Sequence, residues 1–195
     1  MATLQFVRDS KDSRLLLLGI SEEGESARYT VNLSAFAEIG SPSVGDFLDE
    51  EQMSVVIYTD ELLRAKKKAL NILAYADNNK KSLYSKLVRA GFSRDISSAV
   101  CDEMIERGYI NERDQLLRLV EAEANRKLRG PGRILPALAA KGYSSSEIRS
   151  VMAELCDKGE IDFSKNARIL LEKKMSSDAN EDEMKRILYN NGYKI

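Results

Sequence analysis

Histidine is absent from the 195 residues, and this closes off a large part of catalytic chemistry. Without imidazole there is no Ser-His-Asp or Cys-His relay and no His-ligated metal. The two thiols, Cys101 and Cys156, lie far apart within apolar helical patterns, and no CxxC occurs. A zinc site is not expected, and a reduced pair is. The carboxylates of Asp102-Glu103 and Glu181-Asp182-Glu183 could serve acid–base chemistry, but their positions read as charged helix surface. No GxxxxGK[ST] phosphate loop is present, and Gly130-Pro131-Gly132 follows a helix and lacks the third glycine of a dinucleotide fingerprint. Tyr75, Tyr84, Phe92, Tyr109 and Tyr143 could stack on nucleic-acid bases, but their post-glycine or helix-seam positions favour core packing. The residues thus point to binding and to no enzyme, cofactor or metal.

The elements that must carry such binding change character near residue 60. Before it, Thr3 to Arg8, Arg14 to Ile20 and Ala27 to Leu33 read as three strands joined by the polar links Asp9 to Ser13 and Ser21 to Ser26. Ser34 could cap a short helix ending at Gly40. The run Ser54 to Tyr58 fits a strand or a buried helix equally. Beyond it the pattern is helical: Glu61 to about Tyr75, Lys80 to Ala90, Ser93 to Arg107, Asn111 to Arg129, Arg133 to Lys141, a helix capped by the Ser144-to-Glu147 box, Asp162 to about Met175, and one within Asp178 to Asn191. Pro136 is expected in or just past the first turn of its helix.

Charge follows the same division. The net charge is −1, yet residues 1–60 carry 4 basic and 11 acidic side chains. Residues 61–110 carry 10 basic and 6 acidic ones, and the remainder is near balance. An acidic head thus precedes a mildly basic body, which permits contact with nucleic acid or an acidic protein surface but is also what solvated helix faces produce. The start MATLQFVRDS lacks a signal-peptide pattern, and the run Leu15 to Leu18 is too short for a membrane span, so a cytoplasmic protein is expected.

The most specific feature is an internal repeat. Lys86 to Ser93 matches Ala137 to Ser144 and Ile187 to Lys194, each with a helix ending in Gly and an aromatic: Gly91-Phe92, Gly142-Tyr143, Gly192-Tyr193. The register continues through Val100 and Val151, Met104 and Leu155, Gly108 and Gly159, and Ile110 and Ile161. The expected architecture is mainly α: tandem three-helix units in an elongated curved array after a small β-rich head. The units are 1–60 (head), 61–110 (repeat 1), 111–160 (repeat 2) and 161–195 (truncated repeat 3).

At these residues the chain resembles the RecX regulatory proteins, which modulate the RecA recombinase. The likeness rests on Ala69-Leu70, Ser82-Leu83, Lys86-Leu87, Gly91-Phe92 and Gly108-Tyr109-Ile110-Asn111, then Arg133-Ile134, Leu138 and Lys141-Gly142. It departs where the family usually has an Arg-rich turn and this chain has Asp77 to Lys81. A Pro stands at 136 where the family prefers a polar helix former.

The resemblance implies a protein that lies in the groove of the RecA–DNA filament and limits filament growth, and with it ATPase, recombinase and coprotease activity. The contact candidates are Lys80, Lys81, Lys86 and Arg89 in the first unit and Arg126, Lys127, Arg129 and Arg133 around the Gly130 link. Each could meet acidic RecA surface or DNA phosphate, or simply be solvated. Lys66-Lys67-Lys68 is weaker, because three successive residues cannot share one helix face. The expected partner is the RecA filament, with auxiliary DNA contact, no membrane, and a monomeric state. A DNA-binding helical module acting without RecA is the alternative.

Overall fold

The computed structural model describes residues 1–12, 14–175 and 180–194. The chain divides into two compact units: Met1–Ala76 with Leu83–Arg107, and Asp77–Ser82 with Gly108–Ile195.

Unit 1 opens with an antiparallel meander, β1 (Ala2–Asp9), β2 (Leu15–Glu22) and β3 (Glu25–Asn32), completed by a short β4 (Phe47–Leu48) beside β1. Glu22 pairs with Glu25 across a two-residue turn in which Glu23 and Gly24 both have positive φ, the geometry that suits the strand twist. Alternation points Leu16, Leu18 and Ile20 of β2 inward beside Leu4 and Val31, forming the head core. α1 (Leu33–Glu38) crosses this core. Its cap is Asn32, whose side chain accepts from Ala35 N at 2.7 Å, and not the expected Ser34.

The ambiguous run at 54–58 is helix. α2 (Glu50–Tyr75) starts well before Glu61, because Asp49 and Gln52 form a reciprocal capping box. Met53 and Val56 then pack into the head core, and Ala65 and Ala69 are buried further along. Buried Asp60 fixes the helix on the sheet: one carboxylate oxygen accepts from Thr30 N on the edge strand β3, at 2.9 Å, and the other from Arg64 Nε at 2.8 Å. α3 (Lys80–Arg89) and α4 (Arg94–Glu106) follow. Leu83, Leu87, Ile96, Val100 and Met104 are buried at helical spacing.

Unit 2 contains α5 (Glu112–Glu121), which widens into a π-turn over Ala122–Arg126, then α6 (Pro131–Ala139), α7 (Ser145–Asp157), α8 (Phe163–Lys174) and α9 (Glu181–Asn190). Leu116, Val120, Ile134, Leu138, Ile148, Val151 and Leu155 form its main core. The Ser144–Glu147 capping box is present. α6 begins two residues earlier than expected, since Pro131 suits the first helical position. Pro136 consequently falls in the second turn, where its ring lacks the N–H that would otherwise donate to the Gly132 carbonyl. The expected helix start at Asp178 lies outside the described residues; α9 is capped by Asn180.

Each repeat glycine has positive φ: 93° at Gly91, 104° at Gly142 and 85° at Gly192. The following aromatic folds back, with its N–H donating to Leu87, Leu138 or Leu188. This is the Schellman closure expected of a Gly-ended helix. The aromatics themselves divide. Tyr143 and Tyr193 are buried, and Tyr84 and Phe92 are half-buried. The core placement expected for Tyr75 and Tyr109 is corrected, because they are 93% and 53% exposed. Tyr75 lies past the last buried residue of α2, and after Gly108 it is Ile110 that turns inward.

Candidate interaction surface

Within unit 2, the Gly-aromatic turns dock on the links that precede a second helix. Gly130 N donates to Asn191 O at 2.8 Å and Gly132 N to Gly192 O at 2.9 Å. Tyr193 Oη donates to the Leu128 carbonyl at 3.1 Å. One repeat earlier, the Asn79 side-chain amide donates to Lys141 O at 2.8 Å, and Tyr143 Oη bonds Gln115 Oε1 at 3.3 Å. A side chain at Asn79 thus does the work of the backbone N–H at Gly130. The buried amides Gln115 and Asn166 repeat the theme, donating to Asn78 O and Ala124 O. Burial pushes the phenols of Tyr143 and Tyr193 up, so both stay protonated and able to donate.

These joints use several of the expected contact cations. Glu123, only 4% exposed, sits in the π-turn. Its two oxygens take Lys127 Nζ at 2.6 Å and Arg129 Nη1 at 2.5 Å. Burial, the largest single influence, opposes ionisation, but the hydrogen bonds and the positive charges of Lys127 and Arg129 together outweigh it and hold the carboxyl below its ordinary range. Arg133 Nε donates to Asn190 O at 2.9 Å. The Lys80 N–H at the start of α3 donates to Glu112 Oε1 at 2.7 Å. The Lys81 stem packs where a Cβ on Gly142 would stand. Lys86 and Arg89 lie exposed on the last turn of α3. Only Arg126, of the four around the Gly130 link, is exposed with no ion pair or side-chain hydrogen bond among the described residues.

Other exposed cations in unit 2 escaped the sequence reading. Lys165 and Arg168 sit one turn apart on α8, and Lys173 follows near its end. Residues 161–195 look nearly neutral only because the acidic first turn of α9 (Glu181 to Glu183) offsets α8. Charge counted per helix would have found them. In unit 1, Lys66 is paired with Glu103 at 2.7 Å, while Lys67 and Lys68 are exposed. Among the described residues no group of three or more His, Cys, Asp or Glu is placed to hold a metal. No disulfide joins Cys101 to Cys156. No described helix is long and apolar enough to cross a membrane.

No protein-family model matches the chain. The regulatory protein RecX of Clostridioides difficile (strain 630) is 30% identical over 157 residues, 80% of this chain and 68% of that protein. The RecX of Bacillus cytotoxicus is 26% identical over 155 residues, again 80% of this chain but 56% of its own length. A crystal structure titled regulatory protein RecX superposes with a TM-score of 0.74 at 18% identity, covering 100% of this chain and 95% of that one. The RecX of Lactobacillus salivarius gives 0.59 at 22% identity, covering 69% and 90%. The first of these structures matches the fold along the whole of this chain, head and helices together, and the second matches about two thirds of it. The glycine-punctuated helices after a four-stranded head are therefore those of the RecX family of regulatory proteins, to which this chain belongs.

Proposed function

We propose that the chain binds the RecA–DNA filament and limits its growth, and through it the ATPase, recombinase and coprotease activities. Membership of the RecX family carries this reading. The exposed cations of unit 2 support it: Arg126, Lys165, Arg168 and Lys173 offer a charge surface for an acidic protein face or phosphate. The buried cores and clasped carboxylate of the same unit read as scaffold. Helices that would read a DNA groove are poorly suited to it: α7 carries Arg149 as its one cation against Glu147, Glu154 and Asp157. This favours filament binding over sequence-specific DNA binding.

The test is RecA-catalysed ATP hydrolysis on single-stranded DNA, with the full chain titrated in at two salt concentrations. A dose-dependent loss of hydrolysis below one protein per RecA is expected. No effect at any ratio, with folded protein and cognate RecA, refutes the proposal. A salt-sensitive shift of bare DNA in the same samples would then point to the independent DNA-binding module.

A further inference from the structure

Unit 1 contains a groove of about 790 Å³ beside the first turns of α2. Its floor is a stripe at helical spacing, Met53 and Ile57 one turn apart and Tyr58 beside them, extended by Ile96 of α4. Ile57 and Tyr58 remain 48% and 50% exposed, an unusual state for two adjacent large apolar side chains on one helix. The walls are acidic. Glu22, Glu50 and Asp95 line the groove and have no ion pair among the described residues, while Asp49 and Glu61 are engaged by the backbone N–H groups of Gln52 and Ser93. Among the described residues no Lys or Arg lines it.

We propose that this groove docks a cationic amphipathic segment of a partner protein, an aliphatic face lying on Met53, Ile57 and Tyr58 and flanking Lys or Arg side chains meeting Glu22, Glu50 and Asp95. Charge complementarity selects this occupant. Carboxylates rimming an apolar floor repel nucleic-acid phosphate and acidic peptides, and they reward a basic rim around an aliphatic anchor. A small apolar ligand fits less well, because such ligands are held in pockets that cover most of their surface and this floor stays half open. The groove shares no lining residue with the cations of unit 2 on which the RecA reading draws.

The test uses the full chain and a short fluorescein-labelled peptide of alternating Leu-Leu and Lys-Lys pairs, with a twin carrying Glu in place of Lys. Fluorescence anisotropy should show salt-sensitive binding of the lysine peptide and none of the glutamate peptide. Glu50→Gln with Asp95→Asn should weaken binding about three- to tenfold, the scale of two exposed ion pairs. Ile57→Ser should weaken it about tenfold through lost apolar contact. Arg168→Glu, outside the groove, should leave it unchanged. Far-ultraviolet circular dichroism confirms that each variant folds. Equal binding of both peptides, or lysine-peptide binding that the groove variants do not move, overturns the proposal. Concentration-dependent self-association abolished by Ile57→Ser overturns it in favour of a second copy of this chain. Loss of RecA inhibition in Arg168→Glu with intact peptide binding separates failure of one reading from failure of the other.

Discussion

Replacing Glu123 by Gln removes a charge and almost no volume, and so isolates the clasp in the π-turn. The wild-type carboxylate is nearly inaccessible, while Lys127 and Arg129 keep 53% and 40% of their side-chain surface in water. The desolvation cost therefore falls mostly on Glu123, and the two cations can rehydrate when it is lost. The full penalty for breaking a buried pair, about 3–5 kcal/mol, does not apply. Gln keeps one carbonyl acceptor for one cation and turns an NH2 donor toward the other, so one hydrogen bond is weakened and the second lost; with the cations rehydrated the loss is about 1–3 kcal/mol. The assay is urea unfolding followed by circular dichroism at several pH values. The folded carboxyl is held below the value of about 4.3 found in an unfolded chain. Its contribution is therefore complete above that value and disappears as pH falls through the depressed folded pKa. The gap between wild type and Glu123→Gln should be constant from neutral pH down to about 5 and close below it. A cost under about 0.5 kcal/mol at pH 7, or a gap that does not narrow in acid, refutes the clasp as a source of stability.

Three further outcomes follow from the same geometry. A Cβ on Gly130 would stand 2.5 Å from Gly192 O, whereas one on Gly91 meets open space at φ 93°; Gly130→Ala should cost more than about 2 kcal/mol and Gly91→Ala about 1 kcal/mol in urea melts, and equal costs would refute the close docking of the two backbones. Ser97 Oγ is buried with no hydrogen-bond partner among the described residues, so Ser97→Ala should raise stability by up to about 1 kcal/mol, and a loss of that size would show the hydroxyl to be satisfied. Arg126→Glu should leave the melting transition within about 0.5 kcal/mol of wild type yet weaken RecA inhibition, while Lys127→Glu, facing Glu123, should destabilise by about 1–3 kcal/mol; the reverse pattern would exchange their roles.

Much of the architecture was present in the order of residue types. Glycines ending helices at 91, 142 and 192, each followed by an aromatic, fix the repeat, because L side chains rarely adopt the φ those turns require. Alternation within residues 2–32 fixes the strands, and the Glu23-Gly24 pair fixes their turn. These are local constraints, set by one residue and its near neighbours. The start of α2 was not legible, because apolar periodicity over five residues fits strand and helix alike; the Asp49–Gln52 box and the head core decide it.

The candidate surface was legible only as a set of cations. Sequence supplied Lys127, Arg129, Arg133 and Arg126 as equals, since all four carry the same charge near one link. Tertiary structure separates them. A buried Glu123 claims two, the Asn190 carbonyl claims a third, and Arg126 is left facing water. The physical reason is that burial of a partner group, and not the charge or spacing of the cation, determines whether an ion pair is part of the scaffold or available to another molecule. Burial depends on which distant segments meet, and no local pattern in the chain encodes it.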